Sequence, residues 1–184
     1  QGKLDVGLGF AKLALEIAEE KNSLYVKSFA KNILAHYYLR LGELENALSN
    51  CKQSIRLIEE FEKHDDMLTF LYANSFYLKG QIEHQMGLYE KAIKDYETAL
   101  DLNQNYGDNL YIASNLLHLF LLHIDKNDNG KALAIYSKIK EYYDINHPFF
   151  LHIYNLTTAI GLMLDPTIEN TAKATELFEN IVSS

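Results

Sequence analysis

Few residues in this chain stand at spacings that could do chemistry. Asp125-Lys-Asn127-Asp-Asn129-Gly130 reads as the opening of a calcium-binding loop, with oxygen donors at alternate positions and a glycine at the sixth. The twelfth position of such a loop must supply a bidentate carboxylate, and here it is Tyr136. Turn and helix-cap roles for Asp, Asn and Gly account for the stretch better. Among the seven histidines, His118/His123 and His147/His152 are five residues apart, so neither pair shares a helical face as an i, i+4 metal pair would. Cys51 is the single cysteine, which excludes an internal disulfide; its place between helices predicts a buried thiol rather than a nucleophile. Glu16, Glu19, Glu20, Glu59, Glu60 and Glu62 read as solvated helix faces. Gly7-Leu-Gly9 follows no strand and is no phosphate loop, and the sequon Asn155-Leu-Thr157 falls within a helix. No metal or cofactor is expected, and no acid, base and nucleophile converge as an enzyme requires.

The elements that carry these residues are read from composition and period. With 48% hydrophobic and 23% charged residues among 184, the chain can bury a substantial core. Two prolines and nine glycines predict long helices with short turns. The net charge of −8, without a Lys/Arg cluster, argues against direct binding of nucleic acid. The run Leu116–Ile124 is too short to cross a membrane and contains two histidines. Residue 1 is not Met, and the chain opens inside a helical pattern, which predicts a piece of a longer protein. A single thiol and no leader suit a reducing, cytoplasmic setting.

Helical periodicity predicts helices over 3–21, 24–41, about 44–63, 67–86, 88–103, 109–124, 131–143 and 149–164, and a final helix opening at Asp165-Pro166. Breaks are expected at Asn22-Ser23, His64-Asp65-Asp66, 105–108, 125–130 and Ile145-Asn146-His147-Pro148. Turn markers at Gly42, Gly87, Asn127 and about Pro166 recur 45, 40 and 39 residues apart. A second set, Leu24-Tyr25, Leu71-Tyr72, Leu110-Tyr111 and Ile153-Tyr154, repeats with a similar period. Small residues at Ala35, Gly80, Ala47, Ala92 and Ala132 are placed where paired helices must approach closely.

The stretch Gly87–Leu100 sets Gly87, Ala92, Tyr96 and Ala99 at offsets of 0, 5, 9 and 12, with Gly80 and Phe76 ahead of it. This spacing resembles the tetratricopeptide repeat (TPR), a helix–turn–helix unit of about 34 residues that stacks into a solenoid. Ala47, Cys51 and Ser54 match Ala92, Tyr96 and Ala99; Ala11, Leu15 and Ala18 match them again. The longer period resembles the TPR variants of kinesin light chains, of maltose-type bacterial transcription activators and of peptide-sensing bacterial regulators. Departures are Phe120 at a small-residue position, Leu116 at a Trp-like one, and the missing closing proline. The resemblance implies an all-α, right-handed superhelix of about nine antiparallel-paired helices. It also implies a single array: a half repeat over 1–22 and full repeats over 23–64, 65–105, 106–146 and 147–184.

In TPR proteins the first helix of each pair lines a concave groove that holds a peptide, protein segment or small effector. Helical phase puts Phe29, Asn32 and His36 on that face of the first repeat, and Asn74, Tyr77, Gln81 and His84 on that of the second. Ser114, Leu117 and Leu121 follow on the third, and Ile153, Leu156, Ile160 and Met163 on the fourth. Asn and Gln side chains offer donor and acceptor together, which suits an extended peptide backbone. Only Asn32 and Arg40 resemble the Lys–Asn–Arg clamp that holds chaperone tails, so that ligand is rejected. The recurrent tyrosines are expected to pack near helix starts with hydroxyls reaching water. The function expected is a non-catalytic interaction module within a larger regulatory protein, with a protein or peptide partner. Two other readings are open: a scaffold that self-associates through its solenoid ends, and the effector-sensing arm of a transcription regulator.

Overall fold

The computed structural model describes the backbone of residues 2–142, 148–164 and 168–183. These form nine α-helices: α1 (Gly2–Glu20), α2 (Leu24–Leu41), α3 (Leu44–Glu59), α4 (Asp66–Gln85), α5 (Tyr89–Tyr106), α6 (Asn109–Asp125), α7 (Asn129–Ile139), α8 (Pro148–Met163) and α9 (Ile168–Ser183). A 3₁₀ turn, Lys140–Tyr142, follows α7, and no strand occurs among the described residues, so the fold is all-α as the periodicity predicts. The helices gather into two compact units, Gln1–Tyr106 and Gly107–Ser184. In the first, each of α1 to α5 packs on its neighbour in sequence, and α2 also touches α4. In the second, α6 pairs with α7 and α8 with α9, and α8 also touches α6 and α7.

One turn geometry recurs at four helix ends. Asn22, Gly42, Gly87 and Asn127 have φ of 50°, 78°, 74° and 57°. At Gly42 the N–H donates to Leu39 and the next N–H, of Glu43, to Tyr38; Gly87 and Leu88 do the same to His84 and Glu83. Asn127 and Asp128 repeat the pattern on Ile124 and His123, as Asn22 and Ser23 do on Glu19 and Ala18. This left-handed cap satisfies carbonyls that a helix end leaves open, and glycine and asparagine adopt it at least cost. The expected turns at Gly42, Gly87 and Asn127 are therefore one structure, and Asn22 is a fourth example. The turn expected at about Pro166 and the break expected at 145–147 lie outside the described residues. Starts are capped as composition suggests: Ser23, Asp65, Asp108 and Asp128 accept from backbone N–H groups of Val26, Leu68, Leu110 and Lys131.

Boundaries differ from the sequence reading where packing intervenes. α3 stops at Glu59 rather than running to about Lys63. There the Phe61 N–H turns back to the Ile58 carbonyl, and the His64 ring lies 3.1 Å from that same oxygen. Phe61 packs against Ile58, Leu68 and Leu71, burial that continuing the helix would forgo. α5 continues to Tyr106, past the expected Asn103, and the Tyr106 ring lies 6.4 Å from Phe70. α7 gives way at Ile139 to the 3₁₀ turn before the expected Tyr143.

Small side chains let helices approach. Ala35, Ala47, Ala92 and Ala132 are fully buried. In the first unit a polar ladder ties α2, α3 and α4 together. Asn32 donates to the Ser75 hydroxyl at 2.9 Å, Ser75 donates to the Leu71 carbonyl, and Ser54 donates to the Ser28 carbonyl across α2 and α3. Cys51 donates its thiol proton to the Ser75 carbonyl, 3.0 Å away. Phe120 is the exception to the small-residue rule: it is fully buried, with its ring 6.3 Å from that of Tyr136.

Candidate functional site: a concave pocket on two first helices

α2 and α4 present side chains three and four residues apart toward a common hollow, because that spacing keeps residues on one helical face. The hollow measures about 570 Å³. Phe29, Asn32 and His36 from α2 and Asn74, Tyr77 and Gln81 from α4 line it, six of the residues that helical phase assigned to a groove. Ile33, Tyr37 and Leu78 complete the wall, which the sequence reading did not include. The signal for them was present, since Ile33 and Leu78 stand four residues after Phe29 and Asn74. His84 is not part of the lining; its ring packs at 5.8 Å, edge to face, on Tyr89 of α5. Ser114, Leu117 and Leu121 belong to the second unit, where the Ser114 hydroxyl donates back to the Leu110 carbonyl and Leu117 is buried. Leu156 and Ile160 on α8 are half-buried and Met163 is exposed; the Ile153 side chain lies outside the described residues.

The pocket is aromatic and amide-bearing, and nearly neutral. Asn32 is buried at its back: its NH₂ is directed at Ser75 while its carbonyl accepts from Asn74 at 3.2 Å. Gln81 donates to the Tyr77 hydroxyl at 3.2 Å. Burial pushes the Tyr77 phenol well above its usual range, so it stays protonated. His36 is the one imidazole in the wall; burial first, and the Arg40 guanidinium second, lower its pKa and favour the uncharged ring. Such a lining offers hydrogen-bond donors and acceptors beside rings and aliphatic carbon, without an ion pair or a nucleophile.

A different face of α4 carries charge. Lys79 contacts Asp95 of α5 at 2.5 Å and Glu83 at 3.3 Å. Glu83 is only 2% exposed, and burial, together with the neighbouring Asp95 carboxylate, raises its pKa to about 7. Burial likewise holds the Cys51 thiol up at about 12, in its protonated, unreactive form. The Tyr72 hydroxyl donates to the exposed Glu59 carboxylate at 3.0 Å. A smaller hollow of about 330 Å³ lies among α1, α2 and α3, where Lys27, Lys31 and Arg56 face Glu19 and Glu60. At the loop that opens like a calcium site, Asn127 makes the left-handed turn and Asp128 caps α7; Asp128 also lies 3.6 Å from His123 and 3.7 Å from Lys131. Among the described residues no His, Cys, Asp and Glu cluster could hold a metal, and no helix is long and apolar enough to cross a membrane.

Family models described as Tetratricopeptide repeat match residues 30–61 and 73–106. No curated protein matches the chain significantly. Among solved structures, BtubC (BKLC) from P. vanneervenii is similar over 98% of this chain and 72% of its own, with a TM-score of 0.70 at 16% identity. The nearly identical TPR-like repeats of a kinesin light chain-like protein from Podosopora anserina align over 99% of this chain and 86% of theirs, with a TM-score of 0.72 at 11% identity. YrrB, described as a TPR protein with an unusual peptide-binding site, covers 96% of this chain and 83% of its own, with a TM-score of 0.50 at 16% identity. These likenesses establish the fold as a TPR-like α-solenoid. Both family matches fall on the helix pairs that the residue spacing singled out, so residues 30–61 and 73–106 are tetratricopeptide repeats within that solenoid fold.

Proposed function

We propose that the chain is a non-catalytic protein-interaction module that takes an extended peptide segment into the concave pocket of α2 and α4. The observation that carries this reading is the pocket itself: about 570 Å³ walled by rings and aliphatic side chains with Asn74 and Gln81 among them. Solenoids offer such concave surfaces as binding sites, and amide side chains can satisfy peptide N–H and C=O groups as a pair. The near-neutral lining favours a partner segment with apolar or aromatic side chains over a phosphorylated or carboxylate-tailed one. In this reading the chain comprises a half repeat and four repeats of a larger cytoplasmic regulatory protein. No direct contact with nucleic acid is proposed, because the chain carries a net charge of −8.

The test is selection from a random linear peptide library on the immobilised chain, followed by calorimetry of the selected peptides. Binding by apolar or aromatic sequences, weakened about tenfold or more by Gln81→Arg or Ile33→Lys, supports the reading. Peptides that bind these variants as tightly as the parent place the site elsewhere.

A further inference from the structure

Helix α1 carries an apolar stripe that no part of the first unit covers. Val6, Phe10, Leu13 and Ile17 are 60%, 68%, 51% and 50% exposed. They follow one another at steps of four, three and four, the spacing of a coiled-coil seam. The face about 100° round α1 is already in use: Ala11 and Ala18 are buried, and Gly7 lies against the Tyr37 ring of α2.

The stripe is not a face that the array leaves apolar elsewhere. Aligning Ala11 with Ala47, Ala92, Ala132 and Ala174 puts Asn46, Lys91, Lys131 and Lys173 where α1 has Phe10, and all four are exposed. The position of Leu13 holds Ser49, Lys94, Ala134 and Glu176, again all exposed. Other second helices thus turn polar or small residues to water at the register where α1 alone turns large apolar ones. An uncovered helix inside the array would expose its inter-helix face, not this one.

We infer that the stripe is a homodimer seam, in which α1 of one chain lies antiparallel against α1 of a second copy. Three features favour a second copy in that direction. The 4–3–4 spacing reads the same from either end, so a two-fold axis sets Phe10 against the partner's Leu13 and Val6 against the partner's Ile17. Charge along α1 is lopsided: Glu16, Glu19 and Glu20 crowd its C-terminal end, whose last turn has no basic residue, against Asp5 as the one acidic residue of its first turn. Antiparallel pairing keeps these acidic ends apart and lays each over the partner's positive helix N-terminus; parallel pairing would bring them together. Gly9 borders the stripe, and a β-carbon there would meet nothing within 4 Å, which leaves room for a close approach. The stripe exposes roughly 400 Å² of apolar surface, taking about 150–250 Å² for a large side chain, so pairing two copies falls at the low end of specific interfaces. The dimer is accordingly weak and reversible.

Sedimentation velocity of the intact chain over a wide concentration range tests this. The expected result is a dimer that dissociates on dilution, weakened about tenfold or more by Phe10→Lys with an unchanged circular dichroism melt. Met163→Lys, at an exposed apolar residue of the second unit, leaves it unchanged. A chain that stays monomeric at every concentration, or a dimer that Phe10→Lys does not weaken, overturns the proposal. Oxidation of V6C mixed with I17C reports direction: cross-links between the two variants support antiparallel pairing, and self-linked V6C overturns it.

Discussion

Gly80 of α4 faces the ring of Tyr96 of α5 so closely that a β-carbon on Gly80 would sit 2.8 Å from Cδ1 and from Cε1. Tyr96 is fully buried and cannot swing away into solvent. Alanine would normally gain about 1 kcal/mol over glycine in a helix interior. Here the added methyl must push two helices apart, at a cost of roughly 1–3 kcal/mol. Gly80→Ala is therefore expected to destabilise the chain on balance, read as a lower denaturation midpoint. An unchanged or higher midpoint would mean that the contact relaxes freely.

Asn32 separates structural from binding roles in the pocket. Its amide joins Ser75 and Asn74 across α2 and α4. Asn32→Ala removes two hydrogen bonds between α2 and α4, one of them buried, and is expected to cost about 1–3 kcal/mol of stability. Gln81→Ala, at a half-buried residue of the lining, is expected to change stability far less while weakening any selected peptide. Chemical denaturation beside calorimetry distinguishes the two; equal losses of stability would undo the distinction.

Glu83 makes stability depend on pH. Its pKa, raised to about 7 from an ordinary 4.5, means the folded chain holds a proton that the unfolded chain has released. The sign follows: this contribution is fully present below about pH 4.5 and is lost as pH rises through about 7. Glu83→Gln keeps a neutral donor beside Asp95, so its stability relative to the parent should grow between pH 5 and pH 8, by about 2 kcal/mol. Melting curves at matched ionic strength check this; a difference that stays flat with pH would remove Glu83 as the titrating group.

Cys51 serves as a reporter of unfolding. Its thiol is fully buried, bonded to the Ser75 carbonyl, and held protonated by burial. Labelling by a maleimide at neutral pH is expected only through opening of the first unit, at a rate that rises with denaturant. Rapid labelling without denaturant would show that α3 and α4 part in the native state.

The sequence by itself determined the class and much of the local structure. Gly42, Gly87 and Asn127 mark real left-handed caps, because few residue types adopt positive φ cheaply and their identities expose the turn. Ala47, Ala92 and Tyr96 revealed the repeat because close helix crossings admit few side chains, and that restriction leaves a spacing to read. The period of the helices, and so the all-α class, follows from the same local rules. Tertiary structure decided what depends on partners far apart in the chain. That Asn32 spends its amide on Ser75 and Asn74, over 40 residues away, has no local signal. The early end of α3 turns on where Phe61 can bury, and the raised pKa of Glu83 on Asp95 arriving from the next helix. The exposure of Phe10 and Leu13 is of the same kind: the pattern of α1 shows apolar residues nearly all round, and only the placement of α2 settles which of them meet water.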